Sequence, residues 1–234
     1  MKILIGIIVV IGIIWFVTLS PEGAPTNSPL VNATGDKEAS TTTQGERTVV
    51  SEGSYVVKAE ESKVNWAGKK PLIEGYINSG SIDVTGGTIE VLDGTSTGVF
   101  TIDMNTLSVS QTPAKPGKES TLEGHLKSEG WFNVETYPEA SFAITEVSPR
   151  ADSDTTHMFD ITGDLTMKGI TDTLTFPATI YSDENGTLYA NAEFEFDRTV
   201  WGITAASGSF FDNLADNVID DMVALSFNLV ATKE

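Results

Sequence analysis

The sequence predicts an all-β domain in which antiparallel strands form a sandwich or a barrel. Runs of alternating apolar and polar residues recur from residue 49 to the end of the 234-residue chain. Their two-residue period is typical of strands that bury one face. No long helical periodicity follows the first twenty residues, so no helices are available to cover an open sheet. Strands of this kind must pack face to face or close into a barrel, and the pattern alone leaves both open.

Composition excludes several kinds of site. The chain has no cysteine, which excludes a disulfide framework, a thiolate zinc site and a cysteine nucleophile. The formal net charge is −19 and the pI is near 4.3. Because so acidic a surface repels phosphate backbones, we expect no nucleic-acid partner. An anionic lipid headgroup would need a local cluster of Lys or Arg.

Residues 1–20 are predicted to form a transmembrane signal anchor. An uncharged apolar run extends from Ile3 to Leu19, and a helix of that length spans about 25 Å, close to the thickness of a bilayer's hydrocarbon core. Lys2 before the run and Glu22 after it predict a cytoplasmic N-terminus. We therefore expect a membrane-anchored, exported domain, periplasmic or extracellular. The alternative is secretion after cleavage of a signal peptide.

Residues 21–48 are predicted to be a disordered linker. They are rich in Ser, Thr, Gly, Pro and Asn and have too little apolar content to offset the entropy of ordering. Such a segment would hold the folded domain, residues 49–234, away from the membrane.

The folded domain contains ten predicted strand segments and one exception to the strand period. Segment 120–134 lacks the period and predicts a short helix or loop that caps one end. Asn185-Gly186 and segment 168–171 predict hairpin turns. The strands are expected at 55–59, 63–67, 73–84, 88–92, 98–104, 141–147, 157–166, 173–180, 188–197 and 223–229.

No catalytic or metal site is predicted. The G-x-S-x-G pattern from Gly94 to Gly98 is followed by a strand, whereas a nucleophile elbow requires a helix there. His125 and His157 lack the spacing of a helical metal pair. The acidic groups at 152–154 and 212–221 lack the spacing of an EF-hand calcium loop.

Four motifs follow one another along the domain. They are S-K-V-N-W at 62–66, H-L-K-S-E-G-W-F-N-V-E-T-Y-P at 125–138, G-D-L-T-M-K-G-I-T at 163–171 and D-R-T-V-W-G-I at 197–203. Together they resemble the YceI-like polyisoprenoid-binding family, over about residues 53–233. Two positions depart from the family pattern. Leu122-Glu123 replaces an Arg-Asp pair, and Lys69-Lys70 lies where a histidine is common, so both changes bear on the preferred headgroup.

The resemblance implies a fold and a ligand. The fold would be an eight-stranded antiparallel lipocalin-like barrel with a short helical segment, preceded here by the transmembrane helix. Its interior would enclose a long isoprenoid or fatty chain, so the expected bound group is an isoprenoid lipid or a quinone-like ligand rather than a catalytic cofactor. We expect a non-enzymatic lipid carrier. A tethered β-domain for adhesion or protein interaction is the alternative.

The apolar strand faces and the motifs together predict the ligand contacts. Inward Gly163, Ala178, Ala190 and Ala192 would leave room for the chain. His125, Arg198, Lys69 and Lys127 are candidates for headgroup contacts because they are polar or basic and lie in or beside the motifs. The predicted ligand-binding residues are Trp66, Phe100, Ile102, His125, Trp131, Phe132, Phe142, Leu165, Phe194, Phe196, Arg198, Trp201 and Phe227.

Overall fold

Each long strand pairs antiparallel with the next one along the chain, and the last strand pairs back onto the first. The computed structural model describes residues 50–150 and 159–234. The strands are β1 Gly53–Val57, β2 Lys63–Lys69, β3 Ile77–Leu92, β4 Thr95–Gln111, β5 Glu139–Pro149, β6 Phe159–Met167, β7 Ile170–Ser182, β8 Leu188–Asp197 and β9 Met222–Lys233. Within the same ranges one α-helix, α1, spans Glu119–Lys127, and short 3-10 helices span Ala59–Glu61, Arg198–Trp201 and Ala215–Asn217.

The sheet closes into a barrel of eight strand positions. β1 and β2 both pair with β3 on one side and β9 on the other, so together they occupy a single position, interrupted by the turn at Ala59–Glu61. The pairing of β3 with β4 completes the circle. Closure gives every described strand position a neighbour on both sides, although β7 and β8 pair only over residues 178–182 and 188–192. It selects the barrel over the sandwich and confirms the architecture that the family resemblance implies.

Strand β3 differs from its prediction. The segments predicted at 73–84 and 88–92 form one continuous strand that begins at Ile77. The glycines between them produce a shift in the pairing with β4 rather than a turn. A Cβ at Gly87 would lie only 2.3 Å from the Val99 carbonyl oxygen. Glycine therefore allows the two backbones to approach closely while the strand bends around the barrel.

Two local predictions are confirmed. β6 and β7 are joined by a two-residue turn in which Lys168 and Gly169 have φ values of 52° and 75°. Positive φ at both central residues is the geometry of a hairpin turn that matches the strand twist. The segment predicted to be a short helix or loop, 120–134, contains all of α1 except Glu119.

The connections define two ends of the barrel. We call the end that carries α1 the helix end; it also carries the connections 70–76, 168–169 and 198–221. The opposite end, here the far end, carries the turns at 93–94 and 183–187. The predicted anchor and linker lie outside the described residues. Within 50–150 and 159–234, no helix has the length and apolar character needed to cross a membrane.

Candidate functional site

In the part of the chain that the structure describes, the barrel interior contains two cavities, one toward each end. The helix-end cavity has a volume of about 160 Å³ and is lined by apolar side chains from α1 and seven strands, such as Val64, Ile82, Leu126 and Leu225. The far-end cavity has a volume of about 280 Å³. Its lining includes Ile89, Val91, Ile144, Ile161 and Ala190.

Five phenylalanine side chains lie between the two cavities and border neither of them. We call Phe100, Phe142, Phe176, Phe194 and Phe227 the phenylalanine partition. Phe176 is central: its ring stacks on Phe194 at 4.3 Å between centroids and lies 5.5 Å from the rings of both Phe142 and Phe227. Phe100 lies 5.5 Å from Phe142. Contacts of this geometry are favourable beyond the area they bury.

The order of inward residues along three strands locates the partition in the middle of the barrel. In each strand, a residue that lines the helix-end cavity is followed by a partition phenylalanine and then by a residue that lines the far-end cavity. From the helix end, the order is Ile102, Phe100, Ser96 in β4; Ala140, Phe142, Ile144 in β5; and Phe196, Phe194, Ala190 in β8.

The thirteen residues predicted to contact a ligand separate into three groups. Phe100, Phe142, Phe194 and Phe227 belong to the partition. His125 and Trp201 lie outside both linings. The remaining seven line the helix-end cavity: Trp66, Ile102, Trp131, Phe132, Leu165, Phe196 and Arg198.

The small inward residues do not act as one group. Ala190 lines the far-end cavity, whereas Ala178 and Ala192 are buried and border neither cavity. Gly163 leaves no free space, because a Cβ there would lie 2.5 Å from the ring of Phe142. The expectation that every small inward residue makes room for a ligand is therefore wrong at Gly163, where an aromatic ring fills the space.

His125 and Lys127 on α1 do not line the helix-end cavity. His125 is exposed, and Lys127 forms an ion pair with Glu123 one helical turn away, at 2.9 Å. Trp201 is buried and contacts two residues of the cavity wall. Its indole nitrogen donates to the Leu165 carbonyl oxygen at 2.9 Å, and its ring packs edge-on against Phe196.

Arg198 joins the two ends of connection 198–221 at the helix end of the barrel. Its buried guanidinium donates to the backbone carbonyl oxygens of Ile203, Ile219 and Asp220 and lies 3.4 Å from the Asp221 carboxylate. Burial lowers the pKa of Arg198 although the neighbouring carboxylates act to raise it. Because most donors of this group are already engaged, Arg198 mainly organises the cavity wall.

The Asp221 carboxylate is stabilised in its charged form. Burial acts to raise its pKa, but hydrogen bonds from Ser209 and Ser207 and the charge of Arg198 outweigh that effect, so the pKa lies below its ordinary value. The carboxylate therefore remains charged and helps to hold the residues of connection 198–221 together.

The two lysines at the opening of the helix-end cavity are engaged with acidic or carbonyl groups. Lys69, whose side chain is 45% exposed, lies 3.3 Å from Asp220. Lys70 donates to the Asp216 carbonyl oxygen at 3.1 Å and lies 5.2 Å from the centre of the Tyr76 ring. They therefore do not form an open basic cluster. Within 50–150 and 159–234, no group of three or more His, Asp or Glu residues could hold a metal ion.

The sequence analysis did not identify Asn78, a polar residue that lines the helix-end cavity. Asn78 lies on β3, two residues before Gly80 and four before Ile82. Residues at this spacing point to the same face of a strand. The two-residue period extended back from Ile82 and Val84 is the signal that could have placed Asn78 inside the barrel.

The chain matches a known family model and several relatives. The model of the YceI-like domain matches residues 55–231. A UPF0312 protein of Pseudomonas putida GB-1 is 30% identical over 129 residues, 52% of this chain and 62% of that protein. Protein YceI of Escherichia coli O157:H7 is 31% identical over 136 residues, 55% of this chain and 64% of that protein. The chain thus spans less than two thirds of the length of these curated relatives.

Two solved structures have a similar fold. BcnA of Burkholderia cenocepacia superposes with a TM-score of 0.54 at 21% identity, over 75% of this chain and 99% of BcnA. A polyisoprenoid binding domain from Saccharophagus degradans, implicated in plant cell wall breakdown, gives a TM-score of 0.54 at 16% identity, over 77% of this chain and 98% of that domain. At these identities the comparison concerns the fold alone.

Proposed function

This chain belongs to the YceI-like domain family, and from that premise we propose that it is a non-enzymatic carrier of an apolar, isoprenoid-like or fatty-chain lipid. The helix-end cavity would hold the hydrocarbon of the lipid, with its polar end toward the opening. The fold that this chain shares with the polyisoprenoid binding domain of Saccharophagus degradans supports the proposal.

The distribution of polarity in the helix-end cavity is the observation that carries the proposal. Deep positions such as Val64, Ile82 and Leu225 are apolar, whereas Lys69 and Lys70 lie at the opening. An amphiphile has the same division between chain and headgroup. Each methylene that leaves water contributes about 0.8 kcal/mol, so even a short buried segment supports reversible binding.

The size of the helix-end cavity limits the hydrocarbon that fits without rearrangement. An apolar cavity of about 150 Å³ accommodates a molecule the size of benzene, and this one has about 160 Å³. A longer chain would reach the phenylalanine partition and pass into the far-end cavity only if rings such as Phe176 and Phe194 moved. We propose that rearrangement of these rings determines how much of a long lipid the barrel encloses.

We also propose that the domain acts on the outer side of a membrane. The support is the apolar run from Ile3 to Leu19 and the polar segment 21–48 that follows it. An anchored barrel would load directly from the bilayer to which it is attached, so lipid transfer would not require diffusion through water.

The test is to identify co-purifying lipid in matched variants. Protein from the native host is extracted with organic solvent, and the extract is analysed by mass spectrometry. Gly68 lines the helix-end cavity, and a Cβ atom at this position would have no neighbour within 4 Å, so Gly68→Leu would fill ligand space. Gly124→Leu adds the same side chain on the exposed surface of α1 as a control.

We expect an apolar lipid in the wild-type protein and in the Gly124→Leu control, and several-fold less in folded Gly68→Leu. Equal lipid in all three proteins would contradict binding in the helix-end cavity. Repeated absence of lipid from the wild-type protein would instead favour a tethered domain for adhesion or protein interaction.

A further inference from the structure

We infer that the helix-end cavity selects an uncharged lipid headgroup bearing a hydroxyl group, and that the side-chain amide of Asn78 binds this hydroxyl. The inference deepens the proposed function and rests on it. It assigns a chemical class to the headgroup and a specificity-determining role to one residue.

The first observation is an unpartnered polar atom. The Oδ1 atom of Asn78 is buried and has no hydrogen-bond partner among the described residues, although the residue lines the helix-end cavity. Buried carbonyl oxygens are normally paired, because leaving one without a donor costs free energy. A donor on a ligand in the cavity would satisfy this atom if the Asn78 side chain rotated to turn its amide oxygen toward the ligand.

The second observation is free space opposite Asn78, on the neighbouring strand β2. Asn78 on β3 is the register partner of Gly68 on β2, and a Cβ at Gly68 would have no atom within 4 Å. The next row deeper is Trp66 opposite Gly80, followed by Val64 opposite Ile82. A lipid whose chain lies against Val64 would therefore place its terminal group beside Asn78.

The third observation is the balance of charge at the opening. Lys69 lies 3.3 Å from Asp220, and Arg198 lies 3.4 Å from Asp221. The neighbouring Lys70 donates to a backbone carbonyl oxygen. A phosphate or carboxylate headgroup would have to displace these interactions and approach the carboxylates, which disfavours an anion.

A hydroxyl group fits the Asn78 amide better than an ether or a hydrocarbon does. A hydroxyl both donates and accepts hydrogen bonds, so it can pair with either the oxygen or the nitrogen of the Asn78 amide. An ether has no donor and cannot satisfy Oδ1. An unsubstituted hydrocarbon leaves the amide unpaired in every orientation.

The experiment compares three probes that share one isoprenoid chain: geranylgeraniol, its methyl ether and geranylgeranyl phosphate. Trp66 and Trp131 line the cavity, so intrinsic tryptophan fluorescence reports binding. We expect wild type to bind the alcohol about tenfold more tightly than the ether, the effect of one hydrogen bond. The phosphate should bind more weakly than the alcohol.

Asn78→Leu should abolish the preference for the alcohol and leave the affinity for the ether nearly unchanged. Asn78→Val repeats the test with a side chain suited to a strand. Asn65→Leu, an exposed position on neighbouring β2, is the matched control and should retain the preference. Thermal melts of each variant verify folding.

The outcomes separate this inference from the proposed function. Equal affinity of wild type for all three probes, tighter binding of the phosphate, or an unchanged preference in both Asn78 variants would overturn the role of Asn78 while leaving a lipid carrier in place. Failure of all three probes to bind the wild-type protein would overturn both.

Discussion

The indole nitrogen of Trp66 donates a hydrogen bond to the backbone carbonyl oxygen of Ser108 at 3.2 Å, and the ring crosses Gly80 to reach it. Trp66 on β2 is the register partner of Gly80 on β3, while Ser108 lies on β4. A Cβ at Gly80 would lie 2.8 Å from the indole nitrogen and 1.8 Å from the Ser108 oxygen. One wall of the helix-end cavity therefore depends on the absence of a side chain at this position.

Gly80→Ala is expected to destabilise the barrel. The added methyl group must displace the Trp66 ring or the β4 backbone, and overpacking of this kind costs about 1–3 kcal/mol or more. Gly68→Ala, one row nearer the opening with free space around its Cβ position, should be close to neutral. Urea denaturation measures both free energies of unfolding. Similar losses in the two variants would show that close packing over Gly80 is not the cause.

Opening the phenylalanine partition should change the preferred chain length. Phe194→Ala removes the ring stacked on Phe176 and would connect the two cavities. The variant should lose stability, by at most about 3–5 kcal/mol, and gain affinity for a forty-carbon isoprenoid alcohol relative to geranylgeraniol. Competition binding, monitored by tryptophan fluorescence, measures the ratio of the two affinities.

The control is Phe210→Ala, at a residue that is 57% exposed, which should leave the ratio of affinities unchanged. An unchanged ratio in Phe194→Ala would argue against a length-limiting partition.

Ala190 and Ala192 should respond differently to the same enlargement. Both lie on β8 and are 7% exposed, but only Ala190 lines the far-end cavity, whereas Ala192 is the register partner of Phe227. Ala190→Phe can place its ring in the cavity and should alter stability little. Ala192→Phe must overpack the core and should cost about 1–3 kcal/mol. Melting temperatures of the two variants check this contrast, and its reversal would contradict the assigned positions of the cavities.

Arg198→Lys is expected to loosen connection 198–221 even though the positive charge is retained. One ammonium group cannot reproduce the donors that Arg198 directs to the carbonyl oxygens of Ile203, Ile219 and Asp220. We expect a loss of about 2–3 kcal/mol in the free energy of unfolding and faster amide hydrogen exchange in residues 203–221.

The control is Lys127→Ala, which breaks only the partly exposed ion pair with Glu123, so it should cost less than about 1 kcal/mol. Unchanged exchange in Arg198→Lys would show that other contacts hold the connection.

Membrane attachment should depend on the N-terminal apolar run. In its native host, the full chain should sediment with membranes and resist extraction by high salt, because Ile3 to Leu19 would lie in hydrocarbon. A variant that lacks residues 3–19 should not do so. Recovery of a soluble wild-type protein whose N-terminus lies beyond about residue 20 would instead indicate a cleaved signal peptide.

The sequence by itself determined the features that depend on neighbouring residues. Alternation of apolar and polar residues identified strands β5 to β9. Turn residues predicted the hairpin at 168–171, and the absence of alternation at 120–134 marked the segment in which most of α1 lies. These predictions succeed because side-chain alternation and turn geometry are properties of short stretches of backbone. The ordered motifs supplied the barrel architecture, which the alternation had left open.

Only the tertiary structure decided how the apolar faces are used. Ile102 and Phe100 have the same parity on β4, yet Ile102 lines the helix-end cavity and Phe100 lies in the partition. Strand periodicity specifies which face a side chain occupies, but not its depth in the barrel or which rings meet it from other strands. For the same reason, the free space beside Gly68 and the unpartnered amide oxygen of Asn78 emerge only when β2, β3 and the closing strands are brought together.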